Sequence, residues 1–412
     1  MRVRVAVMTA LVVVAGFGIP VNAAPRVTLT QLGTSASPGM SGPIAVACWS
    51  AGNCVATGYA PNNRATVQTE RDGKWGLAVD ATRGLGKISY SILVTASCFS
   101  GGCLAFGRYL KSQNNPTDAH FTISYSHGLW KKASELSLQL GSAKAFQEFS
   151  LSCRDPGDCV VVGTLRYSAE NASIPVYAPA LLTEKSGRWG RPVSLAPKTS
   201  GVNKLAELLD VSCPTWGECR AVGIGTMRGA YRSILAVQTD GHWSMAQAGF
   251  PANWSVLSIS CPSLRNCTVG GRISTPNGSE AFVATGGVGH WGNPIQVGKR
   301  WTISGYSRSS ANLLSCQSAS TCVVAGQVDG PRPTVNSTLG VSSVAWVASE
   351  IRGRWTDGTL IGYRRVANNQ GQVSGLSCPS VGNCEGVGQY WSENASLRPN
   401  SVTHNFAASI AR

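Results

Sequence analysis

Fourteen cysteines fall as seven close pairs, and their spacing constrains what this chain can fold into more than any other feature. The pairs are Cys48 and Cys54, Cys98 and Cys103, Cys153 and Cys159, Cys213 and Cys219, Cys261 and Cys267, Cys316 and Cys322, and Cys378 and Cys384. First cysteines follow one another at 50, 55, 60, 48, 55 and 62 residues, a mean of 55. A period of that size, kept over nearly the whole chain, makes the repeat the unit of folding.

Each repeat carries further markers. Four residues after every second cysteine stands a glycine: Gly58, Gly107, Gly163, Gly223, Gly271, Gly326 and Gly388. The residues between are mostly apolar, as in CVATG and CVVVG, and another apolar stretch such as IAVAC or VLSISC precedes the first cysteine. This predicts a tight hairpin of two buried strands, ending where a missing side chain is favoured. Six repeats then carry Gly-x-Trp, at Gly73 and Trp75, Gly128 and Trp130, Gly187 and Trp189, Gly241 and Trp243, Gly289 and Trp291, and Gly353 and Trp355. In five of them a Thr or Ser stands four residues before the glycine (Thr69, Ser124, Thr183, Thr285, Ser349). Strands such as ATVQT and ILAVQT lead in, so a second hairpin is expected, its glycine at positive φ and its tryptophan over the neighbouring sheet. The unit is a four-stranded antiparallel meander.

One meander cannot bury both faces, so the units must stack, and closing the stack into a ring protects their edges. The two ends are complementary. The seventh repeat lacks a Gly-x-Trp strand, while Arg26 to Leu32 precedes the first hairpin with nothing of its own to pair with. The expected fold is therefore all-β: a seven-bladed β-propeller of four-stranded antiparallel blades, the N-terminal strand completing the last blade, with one local disulfide per blade. An open solenoid is the competing architecture, and would carry capping repeats at both ends.

These repeats resemble the blades of secreted actinobacterial-type β-propellers with paired cysteines. The Thr/Ser-x-x-x-Gly-x-Trp turn is distantly similar to the Asp-box of sialidase and BNR-repeat propellers, although only Asp72 and Asp240 keep an acid in the turn. The resemblance spans the chain from residue 25 onward and implies a fold rather than an activity.

Residues 1–24 read as a signal peptide, with a basic head, an apolar run from Val5 to Val14 and a small-residue end, leaving 25–412 as the propeller. The apolar run is shorter than the roughly 20 residues that span a bilayer, and no later segment is long enough either. The mature chain is expected outside the cell, where its cysteines oxidise. Zinc would need two cysteine pairs brought together, whereas a ring holds each pair apart, and the five histidines (His120, His127, His242, His290, His404) show no repeated spacing. No metal or cofactor is expected.

The formal charge is +15, from 35 basic and 20 acidic residues, and favours an anionic partner. The basic residues form no stripe, which with export argues against nucleic acid. In a propeller the loops between second and third strands emerge on one face. Here they vary from YAPNNR to TLRYSAENASIPVY and QVDGPRPTVNSTLG while the frame stays constant, as a scaffold does when it presents a binding surface. Four of six Asn-x-Ser/Thr sequons (Asn171, Asn277, Asn336, Asn394) fall in them. Candidate ligand-binding residues are Tyr59, Arg108, Tyr109, Arg166, Tyr167, Arg228, Tyr231, Arg272, Tyr390 and Trp391: aromatics for a sugar ring or an apolar patch, arginines for carboxylates or phosphates.

The sequence thus reads as a secreted, non-catalytic binding module for cell-surface or cell-wall glycans, with a protein-binding subunit of a secreted complex as the alternative; it can be a monomer or part of a hetero-complex. A glycoside-cleaving enzyme is a third reading. It would need two carboxyl groups across a pocket, for which Asp118, Glu170, Asp329 and Glu393 lie in or beside the loop face. A sialidase-like site would draw on Arg108, Arg166, Arg228, Arg272, Tyr167 and Glu170. The histidines form no triad pattern.

Overall fold

The computed structural model describes residues 25–32, 40–112, 115–167, 176–195, 202–227, 230–298, 307–331, 341–361, 370–392 and 402–411. Within them the secondary structure is all strand, arranged as seven antiparallel blades. Blade 1 runs Gly42–Ser50, Asn53–Tyr59, Ala65–Arg71, then a short outer strand. Blades 2 to 6 repeat this over 90–136, 145–194, 202–246, 254–296 and 307–360. Blade 7 takes three strands from Gln370–Ser380, Asn383–Ser392 and Val402–Ala411, and its outer strand is Arg26–Gln31, antiparallel with Arg26 opposite Ala411. The N-terminal strand does complete the last blade, and all seven cysteine pairs are disulfides within a blade.

The marker glycines are explained by a bulge. In every blade the inner strand shifts register just after the residue opposite the glycine, for example between Pro43 and Ala45 opposite Gly58, and between Glu148 and Ser150 opposite Gly163. There an inner-strand carbonyl swings toward the glycine: a Cβ at Gly163 would lie 1.8 Å from the Gln147 oxygen, and one at Gly58 2.0 Å from the Gly42 oxygen. Only glycine fits.

Five of the six second hairpins have two-residue turns with both central residues at positive φ, as at Asp72 (48°) and Gly73 (77°), which matches the twist of the strands they join; in blade 5, with Val288 first, only Gly289 is at positive φ. The outer strand departs from the expected meander. In five blades it is broken into two short pieces, such as Lys74–Trp75 and Val79–Asp80, and only blade 4 keeps it continuous after its own hairpin (His242–Ala246). The reason is local: past the tryptophan the Gly76 amide still reaches the Thr69 carbonyl, but the next residues leave the ladder before pairing resumes.

Cores sit between blades, each cluster joining apolar residues of two neighbours, as Phe106 of blade 2 does with Leu182 of blade 3. A second device ties the inner strands. The serine before a first cysteine accepts a hydrogen bond from the first-cysteine amide of the next blade, at 2.9–3.1 Å: Ser97 from Cys153, Ser152 from Cys213, Ser212 from Cys261, Ser260 from Cys316, Ser315 from Cys378, and Ser377 from Cys48 across the ring closure. Blade 1 carries Ala47 at this position, so the junction from blade 1 to blade 2 has no such bond.

Candidate functional site

The central channel is lined by all seven inner strands and encloses about 360 Å³. The bulges contribute its lining: Ile44, Val94, Phe149, Leu209, Leu257, Asn312 and Ser374. Asp210 is the one charged residue among the described lining. Its carboxylate accepts from the Ser150 hydroxyl (2.7 Å) and the amides of Val211 (2.9 Å) and Ile259 (2.8 Å), bridging blades 3, 4 and 5. Burial pushes it up to about 6 despite those donors. With both carboxylate oxygens engaged by neighbours, Asp210 acts as a strut rather than a ligand hook.

On the loop face the second strands run further past the marker glycine than expected, and this decides where the ten candidates go. Strand Gly102–Ser112 continues through Arg108 and Tyr109, so alternation turns Tyr109 inward, 1% exposed, into the core between blades 1 and 2. Glu135 lies beside its hydroxyl, itself held low by Lys111 at 2.9 Å. Arg108 is half-buried, 3.7 Å from Glu148, a buried carboxylate that also lies 3.5 Å from His120 Nε2. Tyr59 lies across Gly42, Tyr167 packs into the core between blades 2 and 3, and Tyr390 stacks on His404 at 4.6 Å. Arg166, Tyr231 and Arg272 are exposed on the consecutive blades 3, 4 and 5. Arg228, Glu170 and Glu393 lie outside the described residues, as do the side chains of Trp391 and Asp118. No side-chain hydrogen bond, ion pair or ring contact joins two of the described candidates.

A cleft of about 1000 Å³ lies on the opposite face, between blades 2 and 3. One wall carries Thr122 and Ser126 at the positions that Val67 and Arg71 occupy in blade 1. Thr122, Ser124 and Ser126 alternate along one face of the third strand of blade 2 and line one wall, with Phe99, Leu104, Leu136 and Leu138. Trp189 and Glu184, paired across the outer hairpin of blade 3, line the other, with Lys131 and Arg188 at the edge. Trp189 is fixed edge-on against Phe106 at 5.5 Å.

Glu184 is the unusual member of this cleft. Only 7% of it is exposed, and its Oε2 has no hydrogen-bond partner. Burial, reinforced by the nearby charge of Asp158, pushes its pKa up to about 7, which brings the protonated form, able to donate as well as accept, within reach near neutrality. Glu135 borders the same cleft, but it pairs across the sheet with Phe121, which packs toward blade 1, so its carboxylate points away. Sequence reasoning missed this site because it followed loop variability. The available signal was an acid three residues before the turn glycine, in ALLTEK, where blade 2 has Tyr125. Among the described residues no three His, Cys, Asp or Glu side chains come together as a metal site.

No protein-family model matches the sequence, and no curated protein matches it. Solved structures do. YCF48 bound to D1 peptide is 12% identical with a TM-score of 0.51, over 90% of this chain and 97% of that one. YCF48 from Cyanidioschyzon merolae is 9% identical with a TM-score of 0.50, over 94% and 99%. An ulvan lyase, a polysaccharide lyase, is 11% identical with a TM-score of 0.53, over 91% and 95%. At these identities the likeness is one of fold alone: an all-β ring of blade-like repeats. Propellers of this kind serve as binding modules or as enzymes. No helix among the described residues is long and apolar enough to cross a membrane.

Proposed function

We propose that this protein is a secreted, non-catalytic binding module for cell-surface or cell-wall glycans, with the cleft between blades 2 and 3 as its principal saccharide site. The observation that carries the reading is the meeting of a hydroxyl ladder (Thr122, Ser124, Ser126), apolar rings (Phe99, Trp189) and the unpartnered Oε2 of Glu184 in one cleft. Saccharides offer the same alternation of hydroxyl edges and apolar faces. Binding is favoured over cleavage because Glu184 is the only carboxyl directed into the cleft among the described residues, whereas glycoside hydrolysis calls for two across the bond. Secretion is part of the proposal. It is supported by the seven disulfides and by the leader-like residues 1–24, which lie outside the described residues. Kinship with sialidase and BNR-repeat propellers is supported by the turn sequences alone.

The loop face supports a second role as a contact for an anionic protein partner. Arg166, Tyr231 and Arg272 stand exposed on successive blades, and no acidic side chain pairs with them among the described residues. A glycan and cell-wall array on the oxidised protein tests both readings. Retention competed by free sugar, lost in Ser126→Arg and kept in Arg166→Ala, is the expected result. A folded protein that binds no glycan would remove the saccharide reading and leave the loop face.

A further inference from the structure

Where the ring closes, between blade 7 and blade 1, two carboxyl groups are buried against each other. Glu70 lies near the end of the third strand of blade 1, and Glu385 follows Cys384 in blade 7; they are 3% and 5% exposed. Both line one cavity of about 190 Å³, with Gly52, Gly73, Asn383 and Ser409 around them, and no basic residue is among the described lining. The Ser409 hydroxyl and the Trp75 indole hydrogen-bond to Glu385. That leaves Oε1 of Glu385 and Oε2 of Glu70 without partners. Two acids so placed repel, and their mutual charge together with burial raises the pKa of Glu385. No basic side chain among the described residues pairs with either of them.

We propose that this cavity is a binding site for a hard divalent cation of the calcium class, held between the carboxylates of Glu70 and Glu385. The donors available are all oxygens: two carboxylates, a hydroxyl and main-chain carbonyls. The four nearest cysteine sulfurs are locked in Cys48–Cys54 and Cys378–Cys384, so a soft metal has no ligand here. Calcium accepts an irregular shell of six to eight oxygens completed by water, and the cavity has room for an ion and several waters at roughly 30 Å³ each. With two acidic side chains in the shell, the affinity belongs in the range of about 10⁻⁴–10⁻³ M that extracellular modules use. The bound ion would tie the first blade to the last.

Thermal unfolding at pH 8 with and without millimolar CaCl₂, together with terbium luminescence excited through the Trp75 indole, tests the site. The expected results are a saturable rise in Tm with calcium in the wild type and no rise in Glu385→Gln. Terbium emission should appear in the wild type, fade as calcium is added, and be absent in Glu385→Gln. An unchanged wild-type Tm, or a calcium effect that survives Glu385→Gln, would overturn the proposal. So would a Glu70→Gln/Glu385→Gln double variant more stable than the calcium-saturated wild type, since the pair would then be sharing a proton. Should the variants fail to fold, the wild-type terbium and calcium titrations decide alone.

Discussion

The seam between blades 1 and 2 and the seam between blades 2 and 3 are built from the same repeat positions, yet one is sealed and the other is open. In the first, Arg71 lies over the Tyr125 ring at 5.9 Å and its guanidinium donates to the Gly128 carbonyl. Trp49 packs on Tyr125 at 5.3 Å, and the Trp130 indole donates to Thr69 at 3.0 Å. In the second, the residue in the place of Arg71 is Ser126 and the residue in the place of Tyr125 is Glu184. The tryptophan remains, but the volume beside it is gone. Small or acidic side chains at two positions where the first seam has large ones accompany a cleft of about 1000 Å³ in place of a packed joint. A propeller can thus make a site without a new loop, by leaving one of its joints unfilled.

The comparison can be broken by removing the tryptophan from each seam. Trp130→Ala should cost about 4 kcal/mol and Trp189→Ala about 3, because only Trp130 also loses a hydrogen bond to the preceding blade, worth about 1 kcal/mol. Denaturant unfolding of the pair reads the difference, and equal losses would mean that the sealed seam gains nothing from its polar contact.

Acidity should act on the open seam and on the closing one. Burial raises Glu184 to about 7 and Glu385 to about 8 from an ordinary value near 4.5, and Asp210 to about 6 from 3.8. Between the ordinary and raised values the folded chain binds more protons than the unfolded one, so stability falls as pH rises from about 4 to 8. In the absence of divalent cations Tm should be higher at pH 5 than at pH 8.5, and Glu184→Gln should flatten the part of that slope ending near pH 7. A slope of opposite sign would show that these acids are ionised in the fold.

Closing the cleft sharpens the contrast from the other side. Ser126→Arg with Glu184→Tyr copies the sealed seam into the open one and should raise Tm by a few degrees while abolishing glycan retention. Loss of retention without a gain in Tm would indicate a blocked site rather than a rebuilt joint. The smallest effect is expected from Ala47→Ser, which supplies the inter-blade hydrogen bond that the other six junctions possess; a gain of about 1 kcal/mol or less in unfolding free energy is the anticipated reading.

The fold was legible because its signals recur. Seven glycines four residues past seven cysteines report a backbone requirement, although the reason, an inner-strand carbonyl pressed against that position, became visible only with the register in hand. The unpaired Arg26–Gln31 segment foretold ring closure because an edge strand and a missing strand are one fact seen from two ends. The serine before six of the seven first cysteines was nearly as regular and passed unnoticed, since its partner lies a whole repeat away. The cleft was not legible for the opposite reason. Ser126 and Glu184 sit at framework positions, where a change reads as noise, while the variable loops drew attention to the other face. Tyr109 looked like a loop residue because the marker glycine was taken as the end of its strand, and two further residues of sheet were enough to turn it inward.

Every cysteine pair is five or six residues apart and no disulfide crosses a seam. Oxidation can therefore follow the chain as it emerges, each pair closing with its nearest neighbour and no scrambling to undo. Arg26–Gln31 keeps the opposite schedule. It appears before any blade exists and waits for Val402–Ala411, so throughout synthesis it is a bare strand edge in search of a partner. The last step of assembly is thus a meeting of the two ends of the chain, and a separately supplied copy of either strand would compete for it.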